Sequence, residues 1–404
     1  MGEGLFAAAP MPYSAAMDGE GPISERGDRA PEFVPGLRLN ERFYAETVRP
    51  ILAEAFPDLR YSAALIGYGS DVLGYDTPRS TDHEWGPRLL LFVGDEAHDA
   101  LTGAIETLLS QRLPPEFLGF STHFSPPGAD GSRVPASSAG GPIAHKIEVH
   151  TPRALLTSWL GVDPFGEIAA VDWLLMPRQR LLEVTAGCVY HDGIGALGPV
   201  RDKLAFYPHD VWLYLLAAQW QRISQAEAFV GRAREVGDEL GSALVAAALT
   251  RDLMALAFLL ERRYAPYSKW FGTAFAELAC APRLAPLLDR TLHAASWPER
   301  ETALATAYEL MAGLHNALGI TAWVDPTSRP YHHRPFQVLH AERFADATTA
   351  AIADPDVVAI VARAGLVGSV DQMADNVDLL SEAERVGALR GVYGGRGRGD
   401  GVTG

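Results

Sequence analysis

Cysteine is nearly absent from this 404-residue chain, where Cys188 and Cys280 stand far apart. Two isolated thiols make neither a disulfide framework nor a set of zinc ligands, so a reducing cytoplasm is the expected compartment. Long apolar runs are lacking too. No stretch reaches the roughly 18 consecutive apolar residues of a membrane-spanning helix, so no membrane is expected as a partner. Positive charge is the third shortage. The chain has 34 Lys and Arg against 50 Asp and Glu, a formal net charge of -16 at pH 7, and no long basic run offsets it. Phosphate-backbone affinity comes from clustered Lys and Arg, so nucleic acid is not the expected partner. The acidic surplus suits a metal-dependent site, a cationic substrate or plain solubility. The opening residues carry no basic leader before their small apolar stretch and turn acidic at once, which is unlike a secretory signal.

What is present is an ordinary globular composition, 48% hydrophobic and 21% charged, in a chain longer than one compact core usually supports. Two domains are therefore expected. Residues 1–37, rich in Gly, Ala, Pro and Ser, read as a flexible arm, and 389–404 as a flexible tail. Over 38–195 helix and strand signals alternate. A helix is predicted over 39–56, strands over 61–66 and 88–93, a helix near 95–111, an apolar run at 117–124, a Gly/Pro/Ser-rich loop over 125–142 and a strand over 143–150. Over 196–388 strands nearly vanish. Ala/Leu-rich segments at 208–226, 238–263, 268–280, 283–295 and 298–318 have the apolar spacing of packed helices. The breakers in His191-Asp-Gly-Ile-Gly-Ala-Leu-Gly-Pro199 separate the two regions. The expected fold class is α+β: a mixed β-sheet with helices, then an all-α helical bundle.

The chemistry concentrates in one string. An apolar strand ends in Gly69-Ser70, the loop 71–81 follows, and Asp82 and Glu84 then alternate with His83 and Trp85. On an extended segment, residues two apart share a face, which would set both carboxylates side by side. Such a pair repels unless a cation, a proton or a basic partner lies between. Magnesium takes hard oxygen ligands of this kind, completed by water and phosphates. Gly69 would let backbone N–H groups approach a phosphate, and the Ser70 hydroxyl adds a donor. A third acid is expected on a neighbouring strand. Alternation over 145–150 places Lys146, Glu148 and His150 on one face, which makes Glu148 the candidate. The other reading of Glu148 is a solvent-facing residue on a half-exposed strand.

Gly69-Ser70, a short gap and Asp82-His83-Glu84-Trp85 resemble the signature of the DNA polymerase beta-like nucleotidyltransferase superfamily, with His83 departing from its hydrophobic flank. Within it, Gly67-Tyr-Gly-Ser70, the string Leu73-Gly-Tyr-Asp-Thr-Pro-Arg-Ser-Thr-Asp-His-Glu-Trp-Gly-Pro-Arg88 and Tyr264-Ala-Pro-Tyr-Ser-Lys-Trp270 resemble a bacterial family of nucleotidyltransferase-like proteins classed as a domain of unknown function. That resemblance extends over most of 40–340. The superfamily resemblance implies a minimal Rossmann-like mixed sheet and magnesium, two ions on Asp82, Glu84 and Glu148, with manganese an alternative. It also implies transfer of a nucleoside monophosphate from a nucleoside triphosphate, ATP being expected, to a hydroxyl of a small-molecule acceptor with release of pyrophosphate. The same fold without turnover would be a nucleotide-binding regulator, and a tRNA- or protein-modifying enzyme is a further alternative.

Other residues have two readings each. Arg79 and Arg88 flank the acids and would hold phosphate oxygens or pair with a neighbouring acid. Tyr264, Tyr267 and Trp270 would stack a base or pack the bundle, while Lys269 would reach a triphosphate. His315-Asn316 and Tyr331-His332-His333-Arg334 lack carboxylates or thiols at ligand spacing, so they are expected to line the cleft or sit exposed.

Overall fold

The computed structural model describes residues 31–129 and 131–394. Its main sheet has four strands: β1 (Tyr61–Leu65), β2 (Arg88–Val93), β3 (Lys146–His150) and β4 (Cys188–Asp192), in the order β3-β2-β1-β4. β1 is antiparallel to β2 and to β4, while β2 and β3 run parallel. Central β1 is buried along its whole length, in keeping with its mostly apolar sequence Tyr-Ser-Ala-Ala-Leu. Edge strand β3 keeps the alternation expected of it, with Ile147 and Val149 in the core.

The two sheet faces meet different partners. On one face Ala63, Leu89, Leu91 and Ile147 pack with Leu39 and Phe43 of the helix Gly36–Phe43 and with Leu109 of the helix Asp95–Arg112. On the other, Ala64, Ile66 and Phe92 pack with Leu156, Trp173 and Leu181 in a cluster that continues into the bundle through Trp212 and Trp220. The expected division at 195/196 is therefore a change of topology rather than of packing. β4 ends at Asp192, the next helix starts at Leu197, and one core runs through both regions.

In the bundle, His209–Glu235 packs along Glu239–Leu260. The break between them needs Gly237, whose φ of 79° favours glycine, and Asp238 then caps the next helix by accepting the Gly241 N–H at 2.7 Å. Among the described residues, Glu239–Leu260 alone is long and apolar enough to cross a membrane, by length and composition. Half of that apolar window is buried in the molecule. Near its middle, Asp252 pairs with Arg222 at 2.7 Å and Arg251 with Asp375 at 3.1 Å.

The chain ends are tied down further out than the arm and tail readings expect. Phe33 stacks on Trp85 with ring centroids 5.9 Å apart, and the first helix begins at Gly36. Ala388–Tyr393 forms a 3-10 turn in which Tyr393 is buried and donates its hydroxyl hydrogen to the Gly368 carbonyl at 2.7 Å. An aromatic side chain with a satisfied hydroxyl anchors residues that composition alone reads as tail. Residues 1–30 and 395–404, the rest of the arm and tail, lie outside the described residues.

The histidine clusters separate. His315 is fully buried, contrary to the expectation of a cleft or exposed position. Its Nδ1 accepts from Trp220 Nε1 at 3.1 Å and its Nε2 faces Thr321 Oγ1 at 3.2 Å, so both ring nitrogens are used in packing. His332 and His333 are exposed beside Arg334, which pairs with Glu235.

Glu227 is buried on the longest helix and accepts the backbone N–H groups of Leu339 and Ala341 at 2.7 and 2.9 Å. Burial pushes its carboxyl up to about 7 despite those bonds. A carboxyl raised on folding stabilises the fold at low pH, and that stabilisation is lost as pH rises from about 4.5 towards 7. We expect Glu227→Gln to flatten this part of the stability profile, measured by denaturant unfolding across pH 4.5–7.5. An unchanged slope would contradict the assignment.

Candidate functional site

Two buried cations set the geometry at one end of the sheet. The parallel register of β2 and β3 places Arg88 beside Lys146, the first residue of each strand. Neither reaches bulk water, so each needs its own anion. Arg88 takes Asp71, with Nη2 at 2.9 Å from Oδ1 and Nε at 3.3 Å from Oδ2, and also donates to the Tyr68 carbonyl at 2.9 Å. Its backbone N–H donates to Asn40 Oδ1 at 2.7 Å, and the Asn40 amide donates to the carbonyls of Gly36 and Gly86. The first helix is thereby pinned to the start of β2.

This ion pair dictates the turn after β1. A Cβ at Gly69 would lie 2.2 Å from Asp71 Oδ1 and 2.7 Å from Arg88 Nη2, and φ there is 125°. Gly69 is therefore required by the fold itself, whatever ligand approaches it. Ser70 is half-buried beside it, its carbonyl accepting the Tyr75 N–H at 2.8 Å. Arg88 takes the second of its two expected roles, pairing with a neighbouring acid.

Lys146 takes Glu84. Its ammonium meets the Glu84 carboxylate, which also accepts the Tyr68 hydroxyl hydrogen at 2.8 Å and the backbone N–H of Arg133. The Tyr68 ring spans the two cations, 5.4 Å from the Arg88 guanidinium and 5.5 Å from the Lys146 ammonium. Burial pushes Lys146 down to about 8, with Glu148 and Asp71 acting against it. Arg133 in turn donates to the carbonyls of Ser125, Ala144 and His145, which straps the Gly/Pro/Ser-rich loop onto the start of β3.

The expected acids are not arranged side by side. Pro78–Asp82 is a 3-10 turn opened by a Thr77/Ser80 capping box, His83 is extended, and Glu84 has φ 54°. Asp82 consequently points to solvent, its Oδ1 3.0 Å from His83 Nδ1, while Glu84 turns inward. Trp85 is buried and donates to Asp76 Oδ2 at 2.9 Å, which draws the loop off an extended path before β2 begins. Glu148 lies on the exposed side of β3, two residues beyond Lys146, with its Oε2 3.1 Å from His150 Nε2. That hydrogen bond holds the Glu148 carboxyl below its usual value, against burial. Among the described residues, no three His, Cys, Asp or Glu side chains are placed to share one metal ion.

Arg79 is exposed on the 3-10 turn. Lys269 is exposed with Nζ 4.8 Å above the Trp270 ring, and the Tyr267 N–H donates to Gln179 Oε1 at 3.0 Å. Trp270 packs on Tyr75 of the loop 71–81, ring centroids 5.5 Å apart, so the bundle braces the segment between Ser70 and Asp82. Tyr264 takes its packing role: it is buried and donates to the Leu204 carbonyl at 3.0 Å. A cleft of about 450 Å³ opens at this junction, lined by Leu73, Tyr75, Arg201, Arg262, Arg263 and Glu277.

Sequence reasoning missed Asp71, Tyr68, Asn40 and Arg133, and saw Lys146 only as a neighbour of Glu148. Asp71 directly follows Ser70, so a buried partner for Arg88 was findable there. No local signal marks Arg133.

Removing Asp71 while keeping Arg88 leaves a buried charge unpaired. We expect Asp71→Ala to cost about 3–5 kcal/mol of stability, and the double variant Asp71→Leu/Arg88→Met to lose markedly less. Denaturant unfolding checks this; equal losses in both variants would refute the pairing argument.

Comparison with known proteins adds three findings. Residues 173–271 match a family described as a domain of unknown function, DUF4037. No curated protein matches the chain. Among solved structures, a nucleotidyltransferase-like protein from Exiguobacterium sibiricum is similar over 76% of this chain and 88% of its own, at 12% identity and a TM-score of 0.31. The matched segment runs from Trp173, beneath the sheet, to Phe271, beside the Tyr75–Trp270 contact, so the part of the chain that joins sheet to bundle is the part that is DUF4037-like.

Proposed function

We propose that the chain is a nucleotidyltransferase, moving a nucleoside monophosphate from a triphosphate, ATP by expectation, to a hydroxyl of a small acceptor. The observation that carries this reading is the contact between Glu84 and Lys146. It joins the loop that follows Gly69-Ser70 to β3, and so gathers the Gly-Ser turn, Glu84 and Glu148 at one end of a mixed sheet. In the transfer, the acceptor oxygen bonds to the α-phosphorus, the bond to pyrophosphate breaks, and the hydroxyl proton passes to a carboxylate. Glu148 is exposed beside Lys146 and suits that proton-accepting role. Lys146 and the N–H groups of the turn suit the phosphates.

Asp82, Glu84 and Glu148 carry the hard oxygen donors that magnesium or manganese takes. As arranged they do not enclose an ion: Asp82 faces solvent, Glu148 is bonded to His150 and Glu84 to Lys146. That arrangement favours one second reading, a nucleotide-binding regulator of the same fold without turnover. A reducing cytoplasm belongs to either proposal, in keeping with the free thiols of Cys188 and Cys280.

Calorimetry with the four ribonucleoside triphosphates and magnesium, followed by pyrophosphate release over a panel of hydroxyl compounds, tests the proposal. We expect one triphosphate to bind and to turn over with some acceptor, and Glu148→Gln to lower turnover roughly 100-fold. Asp82→Asn is also expected to lose turnover, and full pyrophosphate release by that variant would sink the assignment. Binding without release from the wild type would favour the regulator.

A further inference from the structure

Lys146 is unusual among the cations of this molecule. It is 4% exposed, and its close ionic contact is the carboxylate of Glu84. A buried ammonium is costly to keep without an anion, and Lys is a compact point charge that holds one without the fork geometry of Arg. Around it stand the Tyr68 and Phe124 rings, 5.5 and 5.9 Å from Nζ, which tolerate a cation and add no competing acceptor.

Glu84 is prepared for a cation from the other side. Its φ of 54° is a left-handed backbone that a glutamate adopts only when the surroundings compel it. The Tyr68 hydroxyl and the Arg133 N–H fix its two oxygens, so the carboxylate is aimed at the place that Lys146 fills. Arg88, at the start of the neighbouring strand β2, is already neutralised by Asp71 and has no part in this exchange.

We propose that Lys146 is the resident cation of this carboxylate site and keeps divalent metal away from Glu84 in the nucleotide-free protein. The inference rests on the nucleotidyltransferase reading for the identity of the site. A positive charge already beside Glu84 repels a second one and removes the free carboxylate that the second one would need. A triphosphate bound at the Gly69-Ser70 turn would offer Lys146 another anion and would leave the Glu84 carboxylate free to serve as a metal ligand. Metal and nucleotide would then favour each other through one lysine.

The test uses manganese alone, followed by electron paramagnetic resonance on the full chain without nucleotide. Wild type is expected to bind the ion weakly, and Lys146→Met about tenfold more tightly or better. The double variant Lys146→Met/Glu84→Gln is expected to lose that gain, which would locate the ion at Glu84. Thermal unfolding of each variant establishes that it is folded, and Lys146→Gln carries the same expectation should Lys146→Met not fold. Wild type binding manganese tightly, with that affinity lost in Glu84→Gln, would overturn the proposal, as would a Lys146 variant that binds no better than wild type. No nucleotide is present in this experiment. A failure here is thus distinct from a failure of triphosphate binding in the calorimetry.

Discussion

Two positive charges buried side by side are the constraint from which the rest of the site follows. Arg88 and Lys146 open adjacent parallel strands, so their separation is fixed by the sheet and cannot relax. In low dielectric each must find a carboxylate of its own. Asp71 comes from the turn after β1 and Glu84 from the loop before β2. Bringing Asp71 in demands glycine at 69, and bringing Glu84 in demands a left-handed residue at 84. Such a residue costs on the order of 1–3 kcal/mol, and the buried Trp85 and the Arg133 backbone hold it in place.

The same site depends on the bundle. The second sheet face is covered by residues that continue into the helical region, so the sheet and the helices share one core. Trp270 presses on Tyr75 in the loop between Ser70 and Asp82, and the C-terminal segment returns to the joint beneath. There Asp371 accepts the Arg178 N–H at 2.8 Å and Arg390 pairs with Asp172. Arg201 closes the same joint by donating to the carbonyls of Val184, Thr185 and Ala186 at the end of a helix. A change in the bundle can therefore reach the signature loop through packed side chains.

Elements with a clear apolar period were legible in the sequence. The strand signals at 61–66, 88–93 and 143–150 and the helices expected at 95–111, 238–263 and 298–318 correspond to Tyr61–Leu65, Arg88–Val93, Lys146–His150, Asp95–Arg112, Glu239–Leu260 and Trp297–Ala317. β4 went unread because Cys188-Val-Tyr-His-Asp192 is half-exposed at a sheet edge and carries no alternation. The site was legible as a set of residues and illegible as an arrangement. Asp82 and Glu84 look like neighbours on a strand, but a capping box at Thr77 and the pull of Trp85 turn them apart. The pairing of Glu84 with Lys146 spans β2, the helix Asp95–Arg112 and the Gly/Pro/Ser-rich loop, and such contacts leave no local trace.

The central claim is that Lys146 holds Glu84 until a phosphate replaces it. A crystal structure with a non-hydrolysable triphosphate and manganese, read by anomalous scattering, addresses it most directly. The account predicts manganese on the Glu84 carboxylate with the Lys146 ammonium moved to a phosphate oxygen. Lys146 still paired with Glu84, beside a fully bound triphosphate and metal held elsewhere, would contradict it.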